Sequence, residues 1–196
     1  LFIQIGVNSF DASMVVANSA ASNSDPLVYN IMSAFYVACS TFIGQNYGAE
    51  KKSRVLKSYF ISLACSFCFA LFLGILLFIF GRNFISIFIS DSAIIELGMR
   101  RLSIMAFSYC ISAFMDCTIA ASRGLGQTSV PTVIVILGSC VFRIAWIFSV
   151  FAYFKTIESL YLLFAFSWTI TAVAEIFYFA RLYKQKFSVS ALKAQQ

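Results

Sequence analysis

Long apolar segments alternate with short polar connections along most of the chain. The segment Tyr59–Phe80 carries no charged side chain, and residues 26–49 carry none either. Residues 102–122, 130–154 and 159–180 carry one charged residue each. A helix needs about 20 apolar residues to cross the hydrocarbon core of a bilayer. The pattern therefore predicts membrane-spanning helices at about 26–46, 54–80, 93–122, 131–152 and 159–182.

The N-terminal segment precedes these five spans. Residues 1–8, "LFIQIGVN", have the pattern of the end of another helix whose start lies outside this sequence. Residues 9–25 are predicted to hold at most a short helical piece, with Asp25 capping a helix that begins at Pro26. One longer tilted helix from about Ala12, kinked at Pro26, is the alternative.

The predicted fold class is an all-α membrane protein. Lipid-exposed backbone must satisfy its own hydrogen bonds, which favours a polytopic helical bundle. We expect about five full spans plus a truncated first helix. Composition agrees, because 61% of the residues are hydrophobic and 11% are charged, against roughly 45–50% and 25% in soluble domains.

The distribution of cations predicts orientation. Of the 14 Lys and Arg residues, Arg143 lies within a span, four lie at one predicted face, and nine lie at the other. The positive-inside rule places the nine, and with them the C-terminus, in the cytoplasm. The net charge of +6 is thereby explained by the membrane, so no nucleic-acid partner is expected. The nine are Lys51, Lys52, Arg54, Lys57, Arg123, Arg181, Lys184, Lys186 and Lys193.

The residue types argue against an enzyme. The chain has no His, no pair of acids within reach in sequence, and no nucleophile motif. Cys65 and Cys68 form a C-x-x-C inside an apolar span, where small apolar packing residues are the simpler interpretation. No metal and no cofactor is expected. A channel subunit would show a re-entrant loop or a charged ring, and neither is evident.

The stretch "FIGQNYGAEKKSRV", residues 42–55, is predicted to be a tight cytoplasmic turn between two spans. Gly48 would supply a left-handed or close turn after the helix. Gln45 and Asn46, in the last helical turn, either cap carbonyl groups or face a watery cavity.

Four motifs in order resemble the multidrug and toxic compound extrusion (MATE) transporters. They are "VNSFDASMVVANSAA" (7–21), "STFIGQNYGAEKKSRV" (40–55), "SRGLGQTSVP" (122–131) and "VFRIAWI" with "FAFSWTIT" (141–147 and 164–171). Two positions depart from the family pattern: Asp11 stands where Gly is commoner, and Phe166 where Pro is common. The resemblance covers nearly the whole chain.

The resemblance implies that residues 1–196 form the C-terminal transmembrane lobe, from the end of helix 7 through helix 12. Residues 183–196 would be a basic cytoplasmic tail. The partner would be an N-terminal six-helix lobe absent from this sequence. The implied function is secondary active efflux of small, amphiphilic organic cations across the plasma membrane, in exchange for H⁺ or Na⁺. The alternative is a lipid-linked oligosaccharide flippase of the same superfamily, which would want several cations lining the cavity, and only Arg143 is deep.

The apolar segments 102–122, 130–154 and 159–180 each contain one charged residue, and charged residues deep in a span are functional candidates by default. Asp116 is the candidate for ion coupling, because a buried carboxylate can take up a proton or ligate sodium; the alternative is a salt bridge to a neighbouring helix. Arg143 is the structural charge candidate, more suited to neutralising a carboxylate or capping carbonyls than to binding cations. Glu175 is either its partner or a cavity residue that attracts cationic substrate.

Aromatic and amide side chains supply the remaining candidates for the cavity. Tyr36 and Tyr109 are favoured because each combines a face for cation–π contact with a hydroxyl that needs a polar partner. Gln4 and Asn8, at the end of the first helix, and Gln45 could also face the cavity.

Overall fold

The computed structural model describes residues 2–193, which fold into helices joined by short turns. The side chains of Phe2 and of residues 188–193 are outside this description. The helices are α1 (Phe2–Asn8), α2 (Ala12–Ser22), α3 (Ser24–Gly48), α4 (Lys52–Ser86), α5 (Ser92–Gly124), α6 (Ser129–Val135), α7 (Phe142–Trp146), α8 (Ala152–Phe154) and α9 (Ile157–Lys193).

Within the described part of the chain, five helices are long and apolar enough to cross a membrane. They occupy Ala12–Gly48, Lys52–Ser86, Ser92–Gly124, Ser129–Phe154 and Ile157–Phe187. Together with the short α1, they confirm the predicted architecture of five full spans after a short first helix. All five extend beyond the predicted bounds, the first of them by 14 residues at its start, because flanking polar residues continue the helices.

The polar N-terminal segment is more helical than predicted. α2 covers 11 residues, and Asn23, which follows it, keeps near-helical angles of φ −64° and ψ −17°. The arrangement is therefore closer to the alternative of one long helix from Ala12. The prediction that Asp25 caps a helix is wrong. Asp25 lies within the first turn of α3, one residue after the helix begins. Pro26 also falls in that first turn, where its missing N–H is tolerated.

The turn between α3 and α4 is tight, as predicted, but Gly48 is not its left-handed residue. Gly48 ends α3, and Glu50 adopts the positive φ of 57°. The Lys51 amide donates to the Asn46 carbonyl at 2.9 Å, which closes the turn. Gly126, after α5, has φ 77° and provides a left-handed position without a Cβ clash.

The core is built around α5, which packs against α2, α3, α4 and α9. Close contacts use small residues. A Cβ on Gly74 would collide with the backbone carbonyl of Ala106, and one on Gly124 would meet the Ser40 carbonyl at 2.7 Å. Small residues at such positions let helix backbones approach each other in a bilayer, where dispersion and packing hold helices together.

The Ser129–Phe154 helix is irregular and packs mainly against α9. Two π-helical segments, Ile136–Val141 and Ile147–Phe151, interrupt it on either side of α7. Gly138 lets it approach Thr171 of α9 closely. At the other end of the chain, α9 runs to Lys193 and so includes most of the predicted basic tail, residues 183–196; residues 194–196 lie outside the described part, and the cytoplasmic location of the tail stays a prediction.

Candidate functional site

Helices α3, α5 and α9 enclose a cleft of about 390 Å³. Each contributes one stripe of side chains at helical spacing, such as positions 105, 109, 112 and 116 on α5, which lie on a single face. The walls combine three Tyr, three Met and two other aromatic rings with two carboxyl groups. The lining residues are Asp25, Pro26, Val28, Tyr29, Met32, Tyr36, Met105, Tyr109, Ser112, Met115, Asp116, Phe164 and Trp168.

Asp116 lies on the α5 wall of this cleft and is half-buried. Three ion pairs occur among the described residues, and none involves Asp116. The cation whose charge reaches it is Arg123, two helical turns away, or about 10 Å along the axis. Asp116 thus presents a carboxyl group to the cleft without a local cation to neutralise it.

Two further oxygen groups lie in the same part of the cleft. The Tyr36 hydroxyl is buried and has no hydrogen-bond partner among the described residues. The Ser112 hydroxyl, one turn from Asp116 on α5, donates to the Tyr109 carbonyl at 2.9 Å and keeps its lone pairs free to accept. Oxygen ligands of this kind suit hard cations such as Na⁺, and a carboxyl group also takes a proton.

The second acid of the cleft, Asp25, is neutralised by a network at the start of α3. Arg101 Nη2 contacts Asp25 Oδ2 at 2.5 Å, and the Tyr109 hydroxyl donates to Asp25 Oδ1 at 2.5 Å. Ser24 Oγ lies 3.3 Å from the Tyr109 hydroxyl. The Arg101 side chain is 5% exposed and that of Asp25 36%. This network ties α3 to α5 beside the cleft.

Sequence reasoning missed Asp25 and Arg101 as a pair. The sequence predicts Asp25 as the cap of a helix that begins at Pro26, and a capping role gives it no partner on another helix. The available signal was that both charges stand at the same predicted end of neighbouring spans, where opposite charges in a bundle tend to pair.

The structure brings Tyr36, Tyr109 and Asp116 into one cleft. The Tyr109 hydroxyl has the polar partner that its burial requires, namely Asp25. The roles of the three residues in binding a substrate or an ion stay predictions.

Arg143 and Glu175 do not form the pair that we had expected. The Arg143 Nε donates to Ser167 Oγ at 3.1 Å, and its guanidinium lies 4.7 Å from the centre of the Phe164 ring. Ser167 Oγ in turn donates to the Gly138 carbonyl at 3.0 Å. These contacts hold the guanidinium two helical turns from Glu175, which explains the failed pairing. The contacts of Arg143 are therefore with a hydroxyl group and an aromatic ring, and not with the carboxylate or carbonyl groups that we had predicted.

Glu175 does not line the cleft, contrary to one of our two interpretations. Its side chain is 0% exposed, and neither carboxyl oxygen has a hydrogen-bond partner among the described residues. It lies in the contact between α9 and the rest of the bundle.

The predicted amide candidates lie outside this cleft. Gln4 Nε2 donates to Asn8 Oδ1 at 2.8 Å on the exposed face of α1. Gln45 is exposed near the end of α3. Asn46 Nδ2 donates to the Phe42 carbonyl at 2.8 Å, which is the capping role considered for this pair of amides. A role for Gln4, Asn8 and Gln45 in a larger cavity stays a prediction.

Comparison with known families decides what this helical bundle is related to. A family model described as MatE matches residues 1–148. The chain belongs to the MatE family. The resemblance inferred from the four sequence motifs is thus confirmed, and the MatE chain is a multi-pass membrane protein.

Two curated relatives of the MatE chain are both described as probable multidrug resistance protein NorM. The one from Thermotoga maritima is 27% identical over 157 residues, which are 76% of this chain and 34% of that protein. The one from Photorhabdus laumondii is 24% identical over 123 residues, which are 63% of this chain and 26% of that protein. The chain thus matches about a third of these relatives or less.

Two solved structures share the fold. The bent form of the Vibrio cholerae MATE transporter VcmN aligns with a TM-score of 0.82 at 17% identity, over 93% of this chain and 41% of that one. An inward-facing multidrug resistance MATE family transporter of the MOP superfamily aligns with a TM-score of 0.70 at 13% identity, over 96% of this chain and 47% of that one.

Proposed function

We propose that this MatE chain is the C-terminal lobe of a secondary active efflux transporter that exports cationic amphiphilic compounds in exchange for H⁺ or Na⁺. A six-helix N-terminal lobe would face it, and the two would alternate access to the two sides of the plasma membrane. The coverage of under half of each solved MATE structure supports a second lobe. The distribution of cations supports a cytoplasmic C-terminus.

The chemistry of the cleft carries this proposal. A flat organic cation is attracted to aromatic faces and to uncompensated negative charge. The cleft offers five aromatic side chains and the unpaired carboxyl group of Asp116. Its three Met side chains adapt to ligands of different shape, because the thioether chain is flexible and polarizable. These properties fit a site that accepts several related amphiphiles.

Asp116 would couple the driving ion to the substrate. A carboxyl group in a span is expensive unless it is paired or used, and Asp116 is in none of the ion pairs of the described residues. One carboxylate cannot hold a proton or Na⁺ and a substrate cation at full strength at the same time. Entry of the driving ion would therefore weaken binding of the substrate and promote its release.

The flippase alternative is less well supported. A pyrophosphate headgroup would require cationic side chains in the cleft, and the described residues that line it include neither Lys nor Arg. Arg143, the deep cation, is engaged by Ser167 and the Phe164 ring. The cleft therefore favours cations over anions.

Dye efflux from proteoliposomes tests the proposal. A proton gradient and a sodium gradient are imposed in separate experiments on the full-length transporter containing this chain. One of the two gradients should drive export of a fluorescent organic cation. The 196-residue chain, reconstituted alone, should show no gradient-driven flux, since the proposed route lies between two lobes. Flux through the transporter that ignores both gradients, or robust driven flux through the chain alone, would contradict the proposal.

A further inference from the structure

Glu175 is a fully buried acid that the proposed transport cycle does not use. It lies near the middle of α9, with 0% of its surface exposed and with both carboxyl oxygens lacking a hydrogen-bond partner among residues 2–193. A buried acid without a partner calls for a physical explanation, because most buried polar groups in native structures are hydrogen-bonded.

The surroundings of Glu175 along α9 are mostly apolar, and the buried Thr171 hydroxyl, one turn before it, donates to the Ser167 carbonyl at 2.8 Å. One turn before it, Ala172 packs in a cluster with Met115 and Ile119 of α5. One turn after it, Phe179 belongs to the main core, where its ring lies 4.7 Å from that of Tyr59. The carboxyl group is thus enclosed between two apolar layers of the bundle.

The face of α5 that packs against α9 carries another orphaned polar group. Met115 and Ile119 of α5 pack against Ala172 of α9. Ser122 lies one turn beyond Ile119 on the same face of α5, as Glu175 lies one turn beyond Ala172 on α9. The Ser122 hydroxyl is also buried and without a hydrogen-bond partner among the described residues. The contact therefore contains two polar groups and little local compensation for a negative charge.

The charged and titratable neighbours do not neutralise Glu175. From α5, the charge of Arg123 reaches it, but that side chain is exposed and in none of the ion pairs of the described chain. From its own helix, Tyr178 is the neighbouring titratable group. On the Ser129–Phe154 helix, Cys140 is exposed and Arg143 is held by Ser167.

We propose that the Glu175 carboxyl group is a proton-binding site in the contact between α5 and α9, and that it carries its proton in this conformation. Burying an isolated carboxylate costs far more than burying a neutral acid, and no ion pair or hydrogen bond among the described residues offsets the difference. Proton binding and helix packing are then linked: the neutral acid stabilises the closed contact, and loss of the proton favours the separation of α9 from α5.

This site is separate from the cleft. The cleft residues of α9 are Phe164 and Trp168, and Glu175 lies two turns beyond Trp168, about 10 Å along the axis. Helix α5 carries Asp116 and also packs against α9 at the Glu175 site. A change in the α5–α9 contact would therefore move one wall of the cleft, which gives a proton at Glu175 a mechanical route to the site of Asp116.

Isotope-edited infrared spectroscopy tests the proposal directly. The chain contains four Glu; Glu50 is exposed, and Glu96 and Glu158 pair with Arg82 and Arg100 near the surface. The protein is labelled with ¹³C at the Glu carboxyl groups and measured in lipid nanodiscs at neutral pH. The label should shift the infrared C=O band of a neutral carboxylic acid. That band should exchange slowly in D₂O, because its group is shielded from solvent.

Two matched variants complete the test. Glu175→Gln preserves the shape of the neutral acid and should abolish the shifted band, whereas Asp116→Asn should leave it intact. A wild-type spectrum in which ¹³C-Glu shifts only carboxylate bands would overturn the proposal, as would persistence of the shifted band in Glu175→Gln. If that variant failed to fold, the wild-type spectrum would still decide. The measurement requires no transport, so it is independent of the efflux proposal.

Discussion

The buried ion pair between Asp25 and Arg101 makes a quantitative prediction about stability. In Asp25→Asn, the Arg101 guanidinium, which is 5% exposed, loses its counter-ion. Breaking a buried pair by removing one partner costs about 3–5 kcal/mol, because an uncompensated charge is left behind. Since the Asp25 side chain is 36% exposed to the cleft, we expect a loss near the lower end, about 3 kcal/mol.

The assay is reversible unfolding of the purified protein in detergent, followed by far-UV circular dichroism. The matched control is Glu158→Gln, which removes the partner of Arg100. That pair has a 3.3 Å contact, with side chains 57% and 47% exposed. Exposed pairs contribute about 0–1 kcal/mol, so the control should lower the free energy of unfolding far less than Asp25→Asn.

A double variant checks the cause. Asp25→Asn combined with Arg101→Met removes the orphaned charge and fills its space with an apolar chain, so most of the lost stability should return. The reasoning fails if Asp25→Asn behaves like Glu158→Gln, or if the double variant is as unstable as the sum of the two single variants.

Three further predictions concern coupling, packing and topology. Asp116→Asn in the full-length transporter should fold with an unchanged unfolding midpoint but lose gradient-driven dye export, because Asn mimics the protonated acid; normal export by this variant would exclude coupling by Asp116. Gly74→Ala should lower the free energy of unfolding by about 1–3 kcal/mol, because its Cβ would collide with the Ala106 carbonyl. A Cβ at Gly48 would meet no atom within 4 Å, so Gly48→Ala should leave the free energy of unfolding nearly unchanged. Equal losses of unfolding free energy in the two variants, measured by denaturation, would refute the packing argument. Ser53→Cys, in a background without the native Cys, should resist an impermeant thiol reagent in whole cells, and ready labelling from outside would reverse the proposed orientation.

The positions of the membrane spans could be predicted because they depend on local properties. A run of apolar residues long enough to cross the hydrocarbon core is visible in one dimension, and lipid enforces a helix on it. The segment Tyr59–Phe80 shows this most clearly and lies wholly within α4. Boundaries were less predictable: the polar residues before Asp25 continue a helix, because side chains such as those of Ser22, Asn23 and Ser24 bond to carbonyl groups one turn earlier.

The identity of the residues that face the cleft was only partly visible in the sequence. Asp116 stood out because a charge inside a span is rare, and Tyr36 and Tyr109 were selected for combining an aromatic face with a hydroxyl. Their convergence in one cleft depends on how α3 and α5 are rotated about their axes, which the sequence of either helix alone does not specify.

The sequence by itself determined that this is a helical membrane protein, how many spans it has, and which ionisable residues lie within them. Tertiary structure decided their partners. Depth suggested a pair of Arg143 and Glu175, yet the Ser129–Phe154 helix turns Arg143 toward Ser167, and Glu175 is enclosed beside α5. Conversely, Asp25 and Arg101, far apart in sequence, meet in an ion pair beside the cleft. Depth follows from position along one helix, whereas a contact requires the rotation and spacing of two helices, which packing across the whole bundle sets.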